Sequence, residues 1–371
     1  MHWPRDAKPV AGLPRNLVMR AEAGLYWLLP PRAAVSAWQP GVVAPFIADS
    51  PTEYDPDGCE YRGRRAEVPV GVLEVGCVLG EGPLWDPDRN VLFWLDISRQ
   101  RLHTLRPASA AMRCHRLPAR PGAAVRCIDG RLLLATHQGI GHYDPETCSF
   151  DLLPGTAPDW PRSRFNDGKC DRMGRFWTGT MRLSGEPGRQ KLYRLEAGRG
   201  LVCVDEGFTV CNGLGWSPDD RTFYLTDTAA RRIYAYDFDV VSGAVANRRI
   251  FAEVPAAAGR PDGLSVDAQG GVWVANSGGW RLTRYDHDGR VERAVRLPVP
   301  RPTSCAFGGQ GLETLFVTSS RLGLSRHELA EAPLSGSVFV LDAGVAGLPE
   351  PCFANGGVRD GSLRPDKPAT L

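Results

Sequence analysis

One pattern recurs along most of this chain: an acidic turn, a short β run, a polar turn and a second β run. It begins as WDPDRNVLFWLDISRQRLHTL at Trp85 and returns as DGRLLLATHQGIGHYD at Asp129. It returns again as CDRMGRFWTGTM and KLYRL from Cys170, as WSPDDRTFYLTDTAARRIYAYDFD from Trp216, and as VDAQGGVWVANSGGWRLTRYDHDG from Val266. A weaker sixth copy, FGGQGLETLFVTSS, starts at Phe307 and leads into GSVFVLD. The turn anchors Asp86, Asp129, Asp171, Asp219, Asp267 and Gly311 lie 43, 42, 48, 48 and 44 residues apart. A period of about 45 residues is the length of one four-stranded propeller blade. Six copies predict an all-β fold, a six-bladed β-propeller. No amphipathic helix longer than about two turns recurs between the β runs, which argues against βαβ units. A two-sheet sandwich would have no reason for the period. Residues 70–78 are expected to supply the closing strand of the last blade.

The repeat also sets the domain limits. Residues 71–355 are expected to form the propeller, and residues 356–371 a C-terminal tail. Residues 1–70 carry Pro4, Pro9, Pro14, Pro30, Pro31, Pro40, Pro45 and Pro51, with arginines among them and no sustained period. They read as a Pro/Arg-rich, poorly ordered N-terminal extension, a small packed cap being the alternative. Lys plus Arg is 44 and Asp plus Glu is 42. That balance gives no support to a nucleic-acid partner or an anionic membrane surface. No apolar run reaches the roughly 18 residues of a membrane span. The ten cysteines include no CxxC pair, so most are expected to be buried thiols, as in Val202-Cys203-Val204. The N-terminus lacks a basic region followed by an apolar one. The expectation is a cytoplasmic protein, monomeric or weakly homo-oligomeric.

In a propeller, the first strand of each blade lines the central channel, so polar residues bordering those strands are the candidates for chemistry. Glu81 lies between glycines in LGEGPLW. Arg164, Asn166 and Asp167 cluster in SRFNDGKCD, and Arg164 and Asn166, two apart, share one face of an extended strand. Asn212-Gly213-Leu214 and Asp262-Gly263-Leu264 match in design one blade apart. Each of these is also an ordinary turn residue whose side chain can bond its own backbone. Equivalent positions of successive blades, however, converge on one axis, so Glu81, Asn212 and Asp262 would meet in the channel. Two carboxylates and an amide oxygen make a hard oxygen site, suited to one divalent ion: Ca²⁺, Mg²⁺ or Mn²⁺, with Zn²⁺ acceptable. No GxSxG, HExxH, P-loop or GxGxxG motif occurs. His137 and His142 read as turn or channel-lining residues. Most of the recurring tryptophans, Trp85, Trp94, Trp177, Trp216, Trp273 and Trp280, read as packing between blades.

The motifs GEGPLWD at 80–86, RFNDGKCDRMGRFWTGTM at 164–181, CNGLGWSPD at 211–219, RPDGLSVD at 260–267 and TSCAFGG at 303–309 stand in order along the chain. Together they resemble the SMP-30/gluconolactonase/LRE-like (regucalcin-like) family over residues 72–350. The resemblance implies a six-bladed propeller with one divalent metal at the channel mouth. It implies Glu81, Asn212 and Asp262 as metal ligands and Arg164 and Asn166 as substrate contacts. The expected activity is metal-dependent hydrolysis of a sugar lactone, an aldonolactone, to the aldonic acid, with Asp262 as general base. Pentonic and hexonic lactones both remain open. The alternatives are a phosphotriester or fluorophosphate hydrolase and a non-catalytic calcium-binding propeller. The sequence departs from the family in two places. Animal members carry a substrate-contacting glutamate shortly after the GTM motif. Here that stretch is MRLSGEPGRQ, where Arg182 or Glu186 would have to serve. The N-terminal extension lies outside the resemblance.

Overall fold

The computed structural model describes residues 69–158, 162–183, 189–196 and 198–354, and the backbone pairing of Leu25–Trp27. Six antiparallel sheets follow one another around a central channel. Their inner strands are Gly80–Asp86, Pro121–Arg126, Ser163–Cys170, Cys211–Trp216, Arg260–Val266 and Pro302–Gly308, for blades 1 to 6 in chain order. Blades 1 to 5 each take four consecutive strands. Blade 6 is closed from the other end of the chain, where Gly71–Leu73 pairs antiparallel with Val338–Asp342. Leu25–Trp27 pairs in turn with Gly71–Leu73 as a fifth strand on that blade. The expectation of a poorly ordered extension otherwise lies outside the described residues, as does the tail at 356–371.

The repeat fixes the period, but its frame differs from that of the blades. The anchor aspartates do not open a blade; they mark the turn between its first and second strands. Asp267 shows why this turn is so recognisable. Its carboxylate accepts the backbone N–H groups of Gln269 and Gly271, at 2.9 Å each, and the Trp273 indole N–H at 2.8 Å. Asp171 does the same with Met173, Arg175 and the Trp177 indole. Each of these aspartates closes a turn and clamps a tryptophan of the next strand.

The core is divided among the blade interfaces. Trp94, Leu105 and Phe316 pack between blades 6 and 1, and Trp177, Leu214 and Phe223 between blades 3 and 4. Trp273, Leu315 and Phe339 pack between blades 5 and 6. Trp280 is the exception among the tryptophans, lying 37% exposed in a turn. The cysteines divide similarly. Cys77, Cys127, Cys170, Cys211 and Cys305 are buried free thiols, but Cys203 is exposed on an outer strand, beside an exposed Val202 and a Val204 that packs against the core.

At one end of the channel the chain crosses over itself after the last blade. Gly347 bridges to Asp267 of blade 5, and Phe353 bridges to Cys127 of blade 2. Between them Glu350 forms an ion pair with Lys169 of blade 3 at 2.7 Å.

Candidate active site

Every inner strand carries a bulge near its start. In blade 4, Cys211 pairs with Asp227 but Leu214 pairs with Leu225, so the inner strand gains one residue on its neighbour. Blade 5 repeats this between Pro261 and Leu264, and blade 3 between Phe165 and Gly168. The gained residues include Asn166, Asn212 and Asp262. A bulge re-aims side chains, and here it turns the same position of three blades toward one axis. Glu81 stands one place earlier, at the edge of the blade 1 bulge, which spans Glu81 to Leu84.

These residues come together at the end of the channel where the inner strands begin. Gly213 lets the strands approach, since a Cβ there would lie 2.6 Å from the Asp262 carbonyl oxygen. The Asn212 amide N–H₂ donates to Asp262 Oδ1 and, at 3.1 Å, to Thr228 Oγ1. The Asp262 carbonyl accepts from Thr226 Oγ1 at 2.7 Å. Glu81 Oε2 accepts the Gly82 N–H at 3.2 Å. Arg164 donates to the Phe165 carbonyl at 2.7 Å, and Asn166 donates to the Cys211 carbonyl at 3.0 Å, tying blade 3 to blade 4.

The electrostatics of this end are those of crowded, desolvated carboxylates. Burial pushes the Glu81 carboxyl well above the ordinary range; the charges of Asp262 and Asp167 push it further, while the Gly82 N–H and Arg164 oppose. Burial raises Asp262 in the same way, with Asp167 adding to it and the Asn212 amide and Gly263 N–H opposing. Asp167 is raised to about 6, chiefly by burial. Burial lowers Arg164 to about 10 although Glu81 attracts its charge. An excess of negative charge in a dry site is what a bound cation relieves.

The donor set fits a hard divalent ion with one adjustment. Asn212 turns its nitrogen, not its oxygen, toward Asp262. A half-turn of the amide presents Oδ1 instead, and the Thr228 hydroxyl can then donate where it now accepts. Among the described residues no three His, Cys, Asp or Glu side chains form a metal-ligating group, so an amide oxygen is needed to complete a trio.

The pair Lys169 and Glu350 was not legible in the sequence. Lys169 sits on the blade 3 inner strand below Asp167, bonded to Ser265 Oγ at 3.1 Å as well as to Glu350. Burial opposes its charge, but the charge and hydrogen bond of Glu350, with Asp167 and Cys305 adding to them, hold its pKa above the ordinary value. A lysine two residues beyond Asp167 on one strand was the available signal; its partner comes from 181 residues away. Of the two residues offered for the family's missing glutamate, Glu186 lies outside the described residues. Arg182 ends its strand exposed.

The SMP-30/gluconolactonase/LRE-like family model matches residues 79–321. A 6-deoxy-6-sulfogluconolactonase of Pseudomonas putida is 37% identical over 284 residues, covering 76% of this chain and 97% of that protein. A pentonolactonase of Haloferax volcanii is 34% identical, covering 75% and 96%. The crystal structure of a calcium-binding protein, regucalcin, from Agrobacterium tumefaciens superposes with a TM-score of 0.71 at 31% identity, covering 76% of this chain and 95% of that one. The chain belongs to the SMP-30/gluconolactonase/LRE-like family. Among the described residues no helix is long and apolar enough to cross a membrane.

Proposed function

We propose that this protein is a metal-dependent sugar lactonase that opens an aldonolactone to its aldonic acid. The observation that carries the reading is the meeting of Glu81, Asn212 and Asp262 with Arg164 at the channel mouth, in a chain whose relatives include proteins named as lactonases. Glu81, Asp262 and the Asn212 amide oxygen would hold one divalent ion, Ca²⁺, Mg²⁺, Mn²⁺ or Zn²⁺. Such an ion, when bound, supplies Lewis-acid polarisation of the lactone carbonyl. Asp262 takes a proton from the water that attacks the carbonyl carbon. The acyl–oxygen bond then breaks, the ring oxygen leaves, and the proton held on Asp262 returns to it. Arg164 and Asn166 hold the oxygens of the sugar, and Asp167 braces the bulge through the Gly168 N–H at 2.7 Å.

The test is a panel of pentonic and hexonic lactones, read by acid release, before chelation, after it, and after adding back each ion. Activity that chelation abolishes and one ion restores supports the reading. Full activity in rigorously metal-free protein would rule out the metal's part. Ion binding without hydrolysis of any lactone would favour a calcium-binding propeller, and turnover of phosphotriesters alone a phosphotriester hydrolase.

A further inference from the structure

Arg164 is only 6% exposed, yet among the described residues a single carbonyl, that of Phe165, accepts from it. A guanidinium offers five donors in a rigid fork, so most of this one is left for a ligand. A second arginine stands beside it. Arg120 immediately precedes the inner strand of blade 2, which runs against that of blade 3. The strands touch because residue 122 is glycine; a Cβ there would lie 2.3 Å from the Phe165 carbonyl oxygen. His137 holds the Arg120 backbone on both sides. The Arg120 N–H donates to His137 Nδ1 at 3.1 Å, and the Arg120 carbonyl accepts the His137 N–H at 3.0 Å. The Arg120 side chain is exposed and has no ion pair or hydrogen bond among the described residues. Its charge is close enough to depress the pKa of Arg164.

We propose that Arg164 and Arg120 form an anion subsite at the channel mouth, and that the preferred substrate is a sugar lactone bearing a fixed negative charge remote from its lactone carbonyl. The inference rests on the lactonase reading and narrows its substrate class. Glu81 attracts Arg164, but the exposed Arg120 has no carboxylate partner among the described residues, so two guanidinium charges within reach of each other leave positive charge that an anion would neutralise. A phosphate, a sulfonate or a second carboxylate has the oxygens to engage both forks. The channel also sets the orientation. Glu81, Asp167 and Asp262 repel an anion from the carboxylate side of the site, so the charged end lies toward the exposed Arg120 and the carbonyl toward the carboxylates. Arg162 and Arg260, both exposed at the entries of inner strands, add to the same positive rim.

The experiment compares kcat/KM of the metal-replete full chain for gluconolactone and for its 6-phosphate, 6-sulfonate and 6-carboxylate analogues. At least one charged lactone should exceed the neutral one by about tenfold to a hundredfold, mainly through KM. The advantage should shrink in high salt and fall toward parity in Arg120→Gln. Which analogue leads identifies the anion. A second arm needs no turnover: calorimetric binding of 1,5-anhydroglucitol 6-phosphate against 1,5-anhydroglucitol, in wild type and Arg120→Gln. Charged and neutral compounds handled alike in both arms overturn the anion subsite and leave the lactonase reading standing. Arg120-dependent binding of the phosphate, with no lactone hydrolysed, keeps the subsite and removes the lactonase reading.

Discussion

The two ends of the channel place the same kind of residue in opposite circumstances. At the end where the inner strands finish, Asp267 is fully buried and saturated with donors: two backbone N–H groups, the Trp273 indole and the Arg284 guanidinium. At the end where they begin, Asp262 is also buried, at 8% exposed, but has far fewer donors, and Glu81 has a neighbouring backbone N–H as its nearest one. One set of carboxylates closes turns and holds the blades. The other is left short of positive charge. What separates the carboxylates proposed to act from those that hold turns is therefore the shortage of donors more than burial.

The sharpest way to break that comparison is Asp262→Asn. It keeps size and one ligand oxygen but removes the base. Turnover should fall about 10²- to 10⁴-fold with metal saturating, while thermal stability stays level or rises because a crowded charge has gone. Near-normal turnover in metal-loaded protein would move the base elsewhere, with Glu81 first in line. Asp267→Ala should do the reverse. Breaking a buried ion pair costs about 3–5 kcal/mol, and this one should fall at the lower end because Arg284 keeps Glu292 as a partner. Denaturant titration would measure it, and an unchanged midpoint would deny the anchor its structural role.

A smaller effect comes from Asp167. Its folded pKa, about 6, lies above the ordinary carboxylate value. The neutral form is favoured by folding, so its contribution to stability is present below about pH 4 and is lost as pH rises toward 6. Thermal melts of chelated protein across that window should show a downward slope that Asp167→Asn flattens. The smallest change should follow deletion of residues 1–60. It removes the strand Leu25–Trp27 and bares the edge of Gly71–Leu73, but leaves the closing pair with Val338–Asp342. A shift of a few degrees with activity kept is expected; a truncated chain that fails to fold would make the extension integral to the domain.

The period was legible because each blade repeats one turn in which an aspartate binds its own backbone, a local event written in adjacent residues. The candidate trio was legible for a related reason, since Asn212 and Asp262 repeat a position as well as a motif. The register of the inner strands was not. A bulge depends on the pairing partner, and nothing in Cys211-Asn212-Gly213 says that Leu225 will face Leu214. That is also why Asn166 emerges as the counterpart of Asn212 and Asp262, with Glu81 one place out of step. The Lys169–Glu350 pair joins two distant segments. Cys203 sits in an apolar run that reads as core, but the outermost strand of a blade has solvent on one side.

The crossing of residues 347–353 lies over the end of the channel where the inner strands finish. Glu350 and Pro351 line the channel there together with Lys169, below Asp167. A lactone held at Glu81, Asn212 and Asp262 would enter and leave by the end of the channel where those residues lie. For a lactone hydrolase, the acid just made retreats past the arginines that drew its precursor in, and the next substrate waits for it. Inhibition by product, competitive with substrate, is then a consequence of architecture, and so is a limit on turnover set by departure once the ring is open.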